Sequence, residues 1–158
     1  MAVIGITTIT VNAEITPVTA DCVERSAETA GVPLALLWGI LSQERGPVGS
    51  VSENRNGTLD HGPMQINSLW LPAVRKKFGV GAEDLVNNGC LNVLVGAWIL
   101  RQELDKAPSW KGVAAYHSRT PEFAARYLAQ LWSRLPDLKT AEVLKSVNKG
   151  VNRGATAE

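Results

Sequence analysis

The sequence is short of net charge, of metal-binding side chains and of long apolar runs. Sixteen basic and fifteen acidic residues give a formal net charge of +1, whereas a nucleic-acid-binding domain normally carries a strongly basic face. The two histidines and two cysteines are far apart in the chain, so a zinc site is not favoured. No segment is apolar over the roughly 20 residues that a membrane-spanning helix needs. What remains is the composition of an ordinary globular domain of 158 residues, long enough for one substantial core.

The two cysteines, Cys22 and Cys90, allow a disulfide if the protein is exported, because disulfides persist in oxidising compartments. Two unpaired buried thiols are the alternative. Residues 2–11 are mostly apolar or Thr and lead into small residues, which is typical of the end of a secretory signal, although no basic residue precedes Arg25. We therefore expect residues 1–20 to be a leader, either the remnant of a signal or a disordered or strand-like segment.

Apolar residues recur with helical spacing through most of the remaining chain. The polar stretch 46–67 interrupts this pattern, and it could hold a small hairpin within residues 58–67. Beyond Pro136 the chain turns polar, so we expect a tail over 136–158 with one further helix within 141–149. The sequence thus predicts a mainly helical single domain over 21–135. Its predicted helices are 21–30, 33–44, 71–78, about 89–106, 109–116 and 120–134.

Glu44 occupies an unusual position on the second predicted helix. Leu37, Leu41 and Glu44 share one face, and Leu34 and Trp38 widen it. An apolar face points to the core, where burial disfavours the charged carboxylate and raises its pKa. A carboxyl that stays protonated near neutral pH can donate a proton to a departing sugar oxygen. The alternative is an ordinary helix-terminal Glu that pairs with a cation or lies exposed.

The segment 54–67 combines turn-forming residues with amide side chains, which can hydrogen-bond sugar hydroxyl and acetamido groups. Asp60 provides a second carboxylate, and paired carboxylates are the usual equipment for glycoside cleavage. The alternative for the Asn and Asp side chains is that they cap turns by bonding their own backbone. Asp60, Gln65 and Asn67 are the candidates for a functional role.

Together these segments resemble the lytic transglycosylases of the lysozyme-like superfamily, and in particular the small single-domain kind associated with conjugation and secretion machines. The resemblance covers roughly residues 22–135. Four motifs in the family's order at suitable spacing are far more specific than any one of them. The matching segments are Val32-Pro33-Leu34 through Gln43-Glu44, Gly57 through Asn67, Asn92-Val93 through Leu100, and Ala115-Tyr116-His117-Ser118.

The resemblance implies a role for each matching residue. Glu44 would act as acid and then as base, and Tyr116 would orient it through its hydroxyl. Met64, Gln65 and Asn67 would bind the glycan. It also implies an α+β, lysozyme-like fold.

Three departures from the family pattern bear on substrate preference. Arg45 stands where the family usually has Ser, Pro63 where it has Leu, and His117 where it has Asn. None of these changes removes a reacting group.

The sequence therefore predicts an enzyme that cleaves the glycan strand of peptidoglycan by a lytic transglycosylase reaction, without metal or cofactor. One alternative is a lysozyme-type muramidase in which Glu44 and Asp60 are both catalytic. The other is a non-catalytic wall-binding scaffold domain. We expect a periplasmic or secreted monomer whose partners are glycan strands and components of a type III or type IV secretion or conjugation apparatus, with no nucleic acid.

Overall fold

The computed structural model describes residues 14–151, which form a mainly helical domain with one small sheet. In chain order, the helices are α1 (Ala20–Ala30), α2 (Leu34–Glu44), α3 (Leu71–Phe78), α4 (Ala82–Asn87), α5 (Gly89–Lys106), α6 (Trp110–His117), α7 (Pro121–Arg134) and α8 (Thr140–Val147). The strands are β1 (Val51–Glu53), β2 (Leu59–His61) and β3 (Ile66–Asn67). This architecture confirms the predicted α+β, lysozyme-like fold.

Helix α5 is central to the domain, because it packs against α1, α4 and α6. Several of its buried residues are small or β-branched, which allows close approach by its neighbours. At Gly96, a Cβ would come within 2.8 Å of the Met64 side chain. Helix α2 lies against α1 on one side and α7 on the other. Its C-terminal residue, Glu44, lines a pocket together with residues of α6 and α7.

The three strands form an antiparallel sheet in the order β1-β2-β3. Ser52 pairs with Asp60, which in turn pairs with Asn67 on the next strand. The predicted hairpin is therefore present as β2 and β3, and β1 extends it. Cross-strand neighbours in such a sheet share a face, so the polar side chains of segment 54–67 are brought together beside α2.

Cys22 and Cys90 form the predicted disulfide, with Cα atoms 5.6 Å apart. It joins the first turn of α1 to the first turn of α5, the two helices that pack most extensively against each other. The bond closes a loop between residues 68 positions apart in sequence.

The segment after Pro136 corrects the prediction of a polar tail over 136–158. Helix α8 packs on α2, and its Val143 and Val147 are 3% and 0% exposed. The Val147 carbonyl accepts a hydrogen bond of 2.8 Å from the Val48 backbone. Val143 and Val147 are four residues apart and therefore share one face of α8. This face is buried, although the segment after Pro136 is polar on the whole. Residues 140–147 therefore belong to the folded domain.

Of the predicted leader, residues 1–20, the structure describes only residues 14–20, because residues 1–13 lie outside the described part. Within residues 14–19, Thr16 forms a parallel β-bridge with Asn88 and Val18 is buried, whereas every residue of this segment except Val18 is exposed. Val18 is 2% exposed, and its backbone N–H and carbonyl both bond the Asn148 side chain, at 2.8 and 2.7 Å. Across residues 14–151, none of the helices combines the length and the apolar character that crossing a membrane requires.

We predict that removing the disulfide lowers the free energy of unfolding by about 4 kcal/mol, because the cross-link restricts the unfolded chain. The variant is Cys22→Ala with Cys90→Ala, and urea unfolding of the oxidised wild type provides the comparison. Mass spectrometry before and after reduction checks the bond itself. Two free thiols per chain in protein isolated from the periplasm would contradict the prediction.

Candidate active site

Glu44 is the last residue of α2, and the helix ends there because Arg45 adopts a left-handed conformation with φ 52°. The Arg45 Nε donates to the Ser42 carbonyl at 2.6 Å, and the side chain is exposed on the outer side of the helix end. The guanidinium thus caps its own helix. Arg45, which replaces the family's usual Ser, forms no ion pair with Glu44.

The Glu44 side chain is only 12% exposed. The pKa of Glu44 is raised from 4.5 to about 7, mainly because the carboxyl is buried. An interaction with the Tyr127 hydroxyl opposes this rise, and the negative charge of Asp60 adds to it. Glu44 Oε1 and Tyr127 Oη nevertheless both lack a partner within hydrogen-bonding geometry among the described residues. Burial is therefore the main cause of the raised pKa, so that a substantial share of the carboxyl is protonated near neutral pH.

Two aromatic rings from α6 and α7 form the wall beside Glu44. The rings of His117 and Tyr127 are stacked, with centroids 4.6 Å apart and planes 5° from parallel. His117 Nδ1 lies 4.0 Å from Glu44 Oε1. Burial lowers the pKa of His117, against the opposing effect of Asp60. A neutral imidazole leaves the Glu44 carboxyl without a competing cation.

The loop between β2 and β3 approaches the end of α2 very closely. The Gly46 N–H donates to the Pro63 carbonyl at 3.2 Å, and a Cβ on Gly46 would come within 1.9 Å of the Gly62 oxygen. Only glycine at position 46 permits this distance. The Gln65 amide lies against the same glycine, 2.3 Å from where its Cβ would be. The contact therefore places the Gln65 segment next to Glu44.

The Asn92 side chain anchors the loop between β2 and β3 to α5. Its side chain is fully buried on α5 and makes three hydrogen bonds to backbone groups. It accepts from the Met64 N–H at 2.8 Å and donates to the carbonyls of His61 and Leu85, at 2.8 and 3.0 Å. All three groups are in buried surroundings where an unpaired polar atom is costly. The sequence analysis named Asn92 only as the start of the core-helix motif and gave it no role, although a polar residue inside an apolar helix was the available signal.

Asp60 is held by two amides. Its Oδ1 accepts from Asn67 Nδ2 at 2.8 Å, and its Oδ2 accepts from Asn54 Nδ2 at 2.9 Å. Both amides also bond the Thr58 hydroxyl, at 2.9 and 3.1 Å. Asp60 thus forms the centre of a network that spans the sheet and the β1–β2 turn. Its negative charge still acts on the Glu44 carboxyl, as described above.

Asn67 and Gln65 are engaged in local hydrogen bonds. Besides its two donor bonds, Asn67 accepts from the Leu69 N–H at 3.1 Å and caps the short turn that precedes α3. Gln65 donates to the Gly62 carbonyl and accepts from the Ser52 hydroxyl, both at 2.9 Å. Gln65, at φ 49°, is held in the left-handed region. Asn67 lies on β3 and Gln65 directly precedes this strand; that they bind the glycan stays a prediction.

Tyr116 and Met64 are placed differently from the prediction. The Tyr116 hydroxyl donates to the Met64 carbonyl at 2.8 Å, so its hydrogen bond does not go to Glu44. The Met64 side chain is 0% exposed and belongs to the core, so it does not line the cleft. Burial raises the pKa of Tyr116 well above its usual value, and the charges of Glu44 and Asp60 act in the same direction. The Tyr116 hydroxyl thus fixes the loop through the Met64 carbonyl. Tyr127 lines the same pocket as Glu44, and the sequence analysis did not single it out.

The Glu44 side chain lines a pocket with a cavity volume of about 170 Å³, which lies between the end of α2 and α7. Side chains of both polar and apolar character line it. They are Gln43, Glu44, His117, Phe123, Arg126, Tyr127 and Gln130.

A helix that ends in a largely buried carboxyl, next to a small antiparallel sheet, is the arrangement expected of a lysozyme-like domain. The family model described as "Transglycosylase SLT domain" matches residues 21–120, which is more than half of the chain. The chain therefore belongs to the SLT transglycosylase family, and it is a lytic transglycosylase.

Curated proteins of similar sequence agree with this assignment. The Invasion protein IagB of Salmonella typhi is 31% identical over 143 residues, which cover 85% of this chain and 89% of that protein. Protein IpgF of Shigella flexneri is 33% identical over 103 residues, or 64% of this chain and 67% of its own length. A Peptidoglycan-binding-like protein of Escherichia coli O157:H7 is 30% identical over 76 residues, 44% of this chain and 46% of that protein.

The raised pKa of Glu44 predicts how stability depends on pH. Because the folded protein holds this proton up to about pH 7 and the unfolded chain only to about 4.5, the contribution of Glu44 is fully present below the lower value and is lost as the pH rises through the higher one. Glu44→Gln does not titrate. We expect it to unfold like wild type at about pH 4, and to be more stable by up to about 3 kcal/mol above about pH 8.

Urea unfolding at a series of pH values measures this difference. Glu24→Gln, on the exposed face of α1, is the matched control and should run parallel to wild type. If Glu44→Gln also runs parallel, the Glu44 carboxyl has an ordinary pKa and is not kept protonated by burial.

Proposed function

We propose that this protein cleaves the β-1,4 bond between N-acetylmuramic acid and N-acetylglucosamine in peptidoglycan, with Glu44 as acid and then base. The observation that carries the proposal is a buried carboxyl at the head of a cleft, with a pKa of about 7. At that pKa, the carboxyl is substantially protonated near neutral pH and can also accept a proton back. Membership of the SLT transglycosylase family supports the substrate class.

The reaction requires only one proton-carrying group. Protonated Glu44 donates to the bridging oxygen as the bond from that oxygen to the muramyl C1 breaks. The acetamido oxygen of the muramyl residue stabilises the positive charge at C1. The Glu44 carboxylate then takes the proton of the muramyl C6 hydroxyl, whose oxygen bonds to C1 and closes a 1,6-anhydro ring. Glu44 ends protonated, and no water is consumed.

In this proposal, Asp60 is neither a nucleophile nor a base, and it contributes through its position in the sheet and its negative charge. Its two oxygens each accept a hydrogen bond from an amide, those of Asn67 and Asn54. A nucleophile or base must approach the sugar itself, whereas these two bonds hold the Asp60 carboxylate against the amides of Asn67 and Asn54. Asp60 would instead hold the sheet in register beside Glu44 and help to stabilise positive charge on the sugar ring. This favours the transglycosylase reaction over the lysozyme-type hydrolysis.

We further propose that the enzyme acts in the periplasm, where it opens the wall locally for a type III or type IV secretion or conjugation apparatus. The Cys22–Cys90 disulfide supports an exported protein, because such bonds persist in oxidising compartments. The similarity to proteins named as invasion proteins supports a link with a specialised machine. A single small domain with its own core is consistent with action as a monomer.

Glu44→Gln should reduce cleavage of purified cell walls to background, because the amide can neither donate nor accept the proton. In the wild type, kcat/KM should fall about tenfold per pH unit above about pH 7, since only the protonated form of Glu44 starts the reaction. Turbidity loss and chromatography of released fragments measure both effects. Glu24→Gln should keep wild-type activity. A folded Glu44→Gln that retains a substantial share of turnover would show that Glu44 is not the acid. A wild type without any turnover would favour a non-catalytic scaffold.

Asp60→Asn should cause a partial loss of activity, in contrast to the loss expected for Glu44→Gln. Because the Asp60 charge raises the Glu44 pKa, its removal should also move the descending limb of the pH–activity profile to lower pH. The network would lose one acceptor oxygen, and this accounts for the loss of turnover. An Asp60→Asn enzyme as inactive as Glu44→Gln would instead favour the two-carboxylate hydrolase.

A further inference from the structure

The pocket beside Glu44 contains a cation that the proposed reaction does not use. Arg126, on α7, lines this pocket together with Glu44 itself. Neither proton transfer nor ring closure needs a guanidinium there, because the scissile bond and the C6 hydroxyl are neutral. A neutral sugar ring gives no reason for a positive charge at this wall. A ligand with a carboxylate does.

The existing partner of Arg126 holds it only weakly. Arg126 Nη2 lies 3.2 Å from Glu122 Oε1 on the same helix, and the two side chains are 63% and 76% exposed. Exposed pairs of this kind contribute little to stability. The guanidinium is therefore free to exchange Glu122 for a carboxylate in the pocket, which it can bind through two parallel N–H donors.

Two other side chains of the pocket, Gln43 and Phe123, are suited to contact a peptide. Gln43 Nε2 donates to Gln130 Oε1 at 2.5 Å, while Gln43 Oε1 is buried without a partner among the described residues. An N–H group of a ligand would satisfy this acceptor. Phe123 is 49% exposed at the pocket's edge and offers an apolar contact. A carboxylate, an N–H donor and a small apolar group occur together in a short acidic peptide.

We infer that this pocket is a subsite for the acidic peptide stem attached to the muramyl residue, with Arg126 as its specificity-determining side chain. The inference rests on the proposed function, since it places the stem of the same substrate beside Glu44. It gives the enzyme a preference for glycan strands that still carry their peptides over strands from which an amidase has removed them.

The test measures binding, in a Glu44→Gln background so that no strand is cleaved. Dissociation constants are determined for glycan oligomers with intact stems and for the same oligomers after amidase treatment. Treatment removes the peptide and leaves a free lactyl carboxylate on the muramyl residue. The two oligomers therefore separate two sources of the carboxylate that Arg126 would bind.

Arg126→Gln should raise the dissociation constant of the stem-bearing oligomer roughly three- to tenfold and reduce the preference for it over the stripped oligomer. Arg25→Gln is the matched control, because Arg25 forms the same kind of exposed i,i+4 pair, with Asp21, on α1. It should leave both constants unchanged. Melting curves verify that each variant is folded.

Three results would overturn the inference. Equal losses on the two oligomers would make Arg126 a general contact rather than a stem contact. A larger loss on the stripped oligomer would assign the guanidinium to the lactyl carboxylate. An unchanged constant for the stem-bearing oligomer would remove Arg126 from the site. If neither oligomer binds the Glu44→Gln protein at all, the proposed function fails, and the subsite fails with it.

Discussion

The buried side chain of Asn92 is the interaction on which the site depends. Its three hydrogen bonds, to Met64, His61 and Leu85, fix the β2–β3 loop on top of α5. A fixed loop lets Gly46, directly after the catalytic helix, approach the Gly62 carbonyl closer than any other residue could. The sheet and the end of α2 are thereby held together. Without the three hydrogen bonds of Asn92, the backbone groups of the loop would be buried and unpaired, which a marginally stable domain tolerates poorly.

Once the loop is fixed, the electrostatics of the site follow from burial. Glu44 is placed where its charged form is disfavoured, while the charge of Asp60 is spread over two amide donors. The two carboxyls therefore have different surroundings: Glu44 lies in a pocket with His117 and Tyr127, and Asp60 is bound by amides of the sheet region. The neighbouring His117 has a lowered pKa, so it does not supply a cation that would favour the ionised form of Glu44. One acid that both donates and recovers its proton is what an anhydro-forming reaction requires.

Much of this arrangement could be predicted from the sequence, because helix patterns and the position of Glu44 on an apolar face are local signals. The bounds of α3 and α5 agree with the prediction. Helix α4 was missed because its six residues are too few to show a repeating apolar face. The surroundings of Tyr116, Met64 and Tyr127 could not be read from spacing, since they depend on which segments meet after folding. Gly46 gave the same difficulty, because its close contact with the Gly62 carbonyl joins two segments that are distant in sequence.

The chemistry of the new chain ends tests the central claim most directly. Mass spectrometry of muropeptides released from purified walls distinguishes the two reactions, because hydrolysis adds one water at each cleavage and ring closure adds none. We predict that the released muramyl ends are 1,6-anhydro sugars throughout. Predominantly hydrated, reducible muramyl ends would contradict the account and would assign the water-activating role to the pair Glu44 and Asp60.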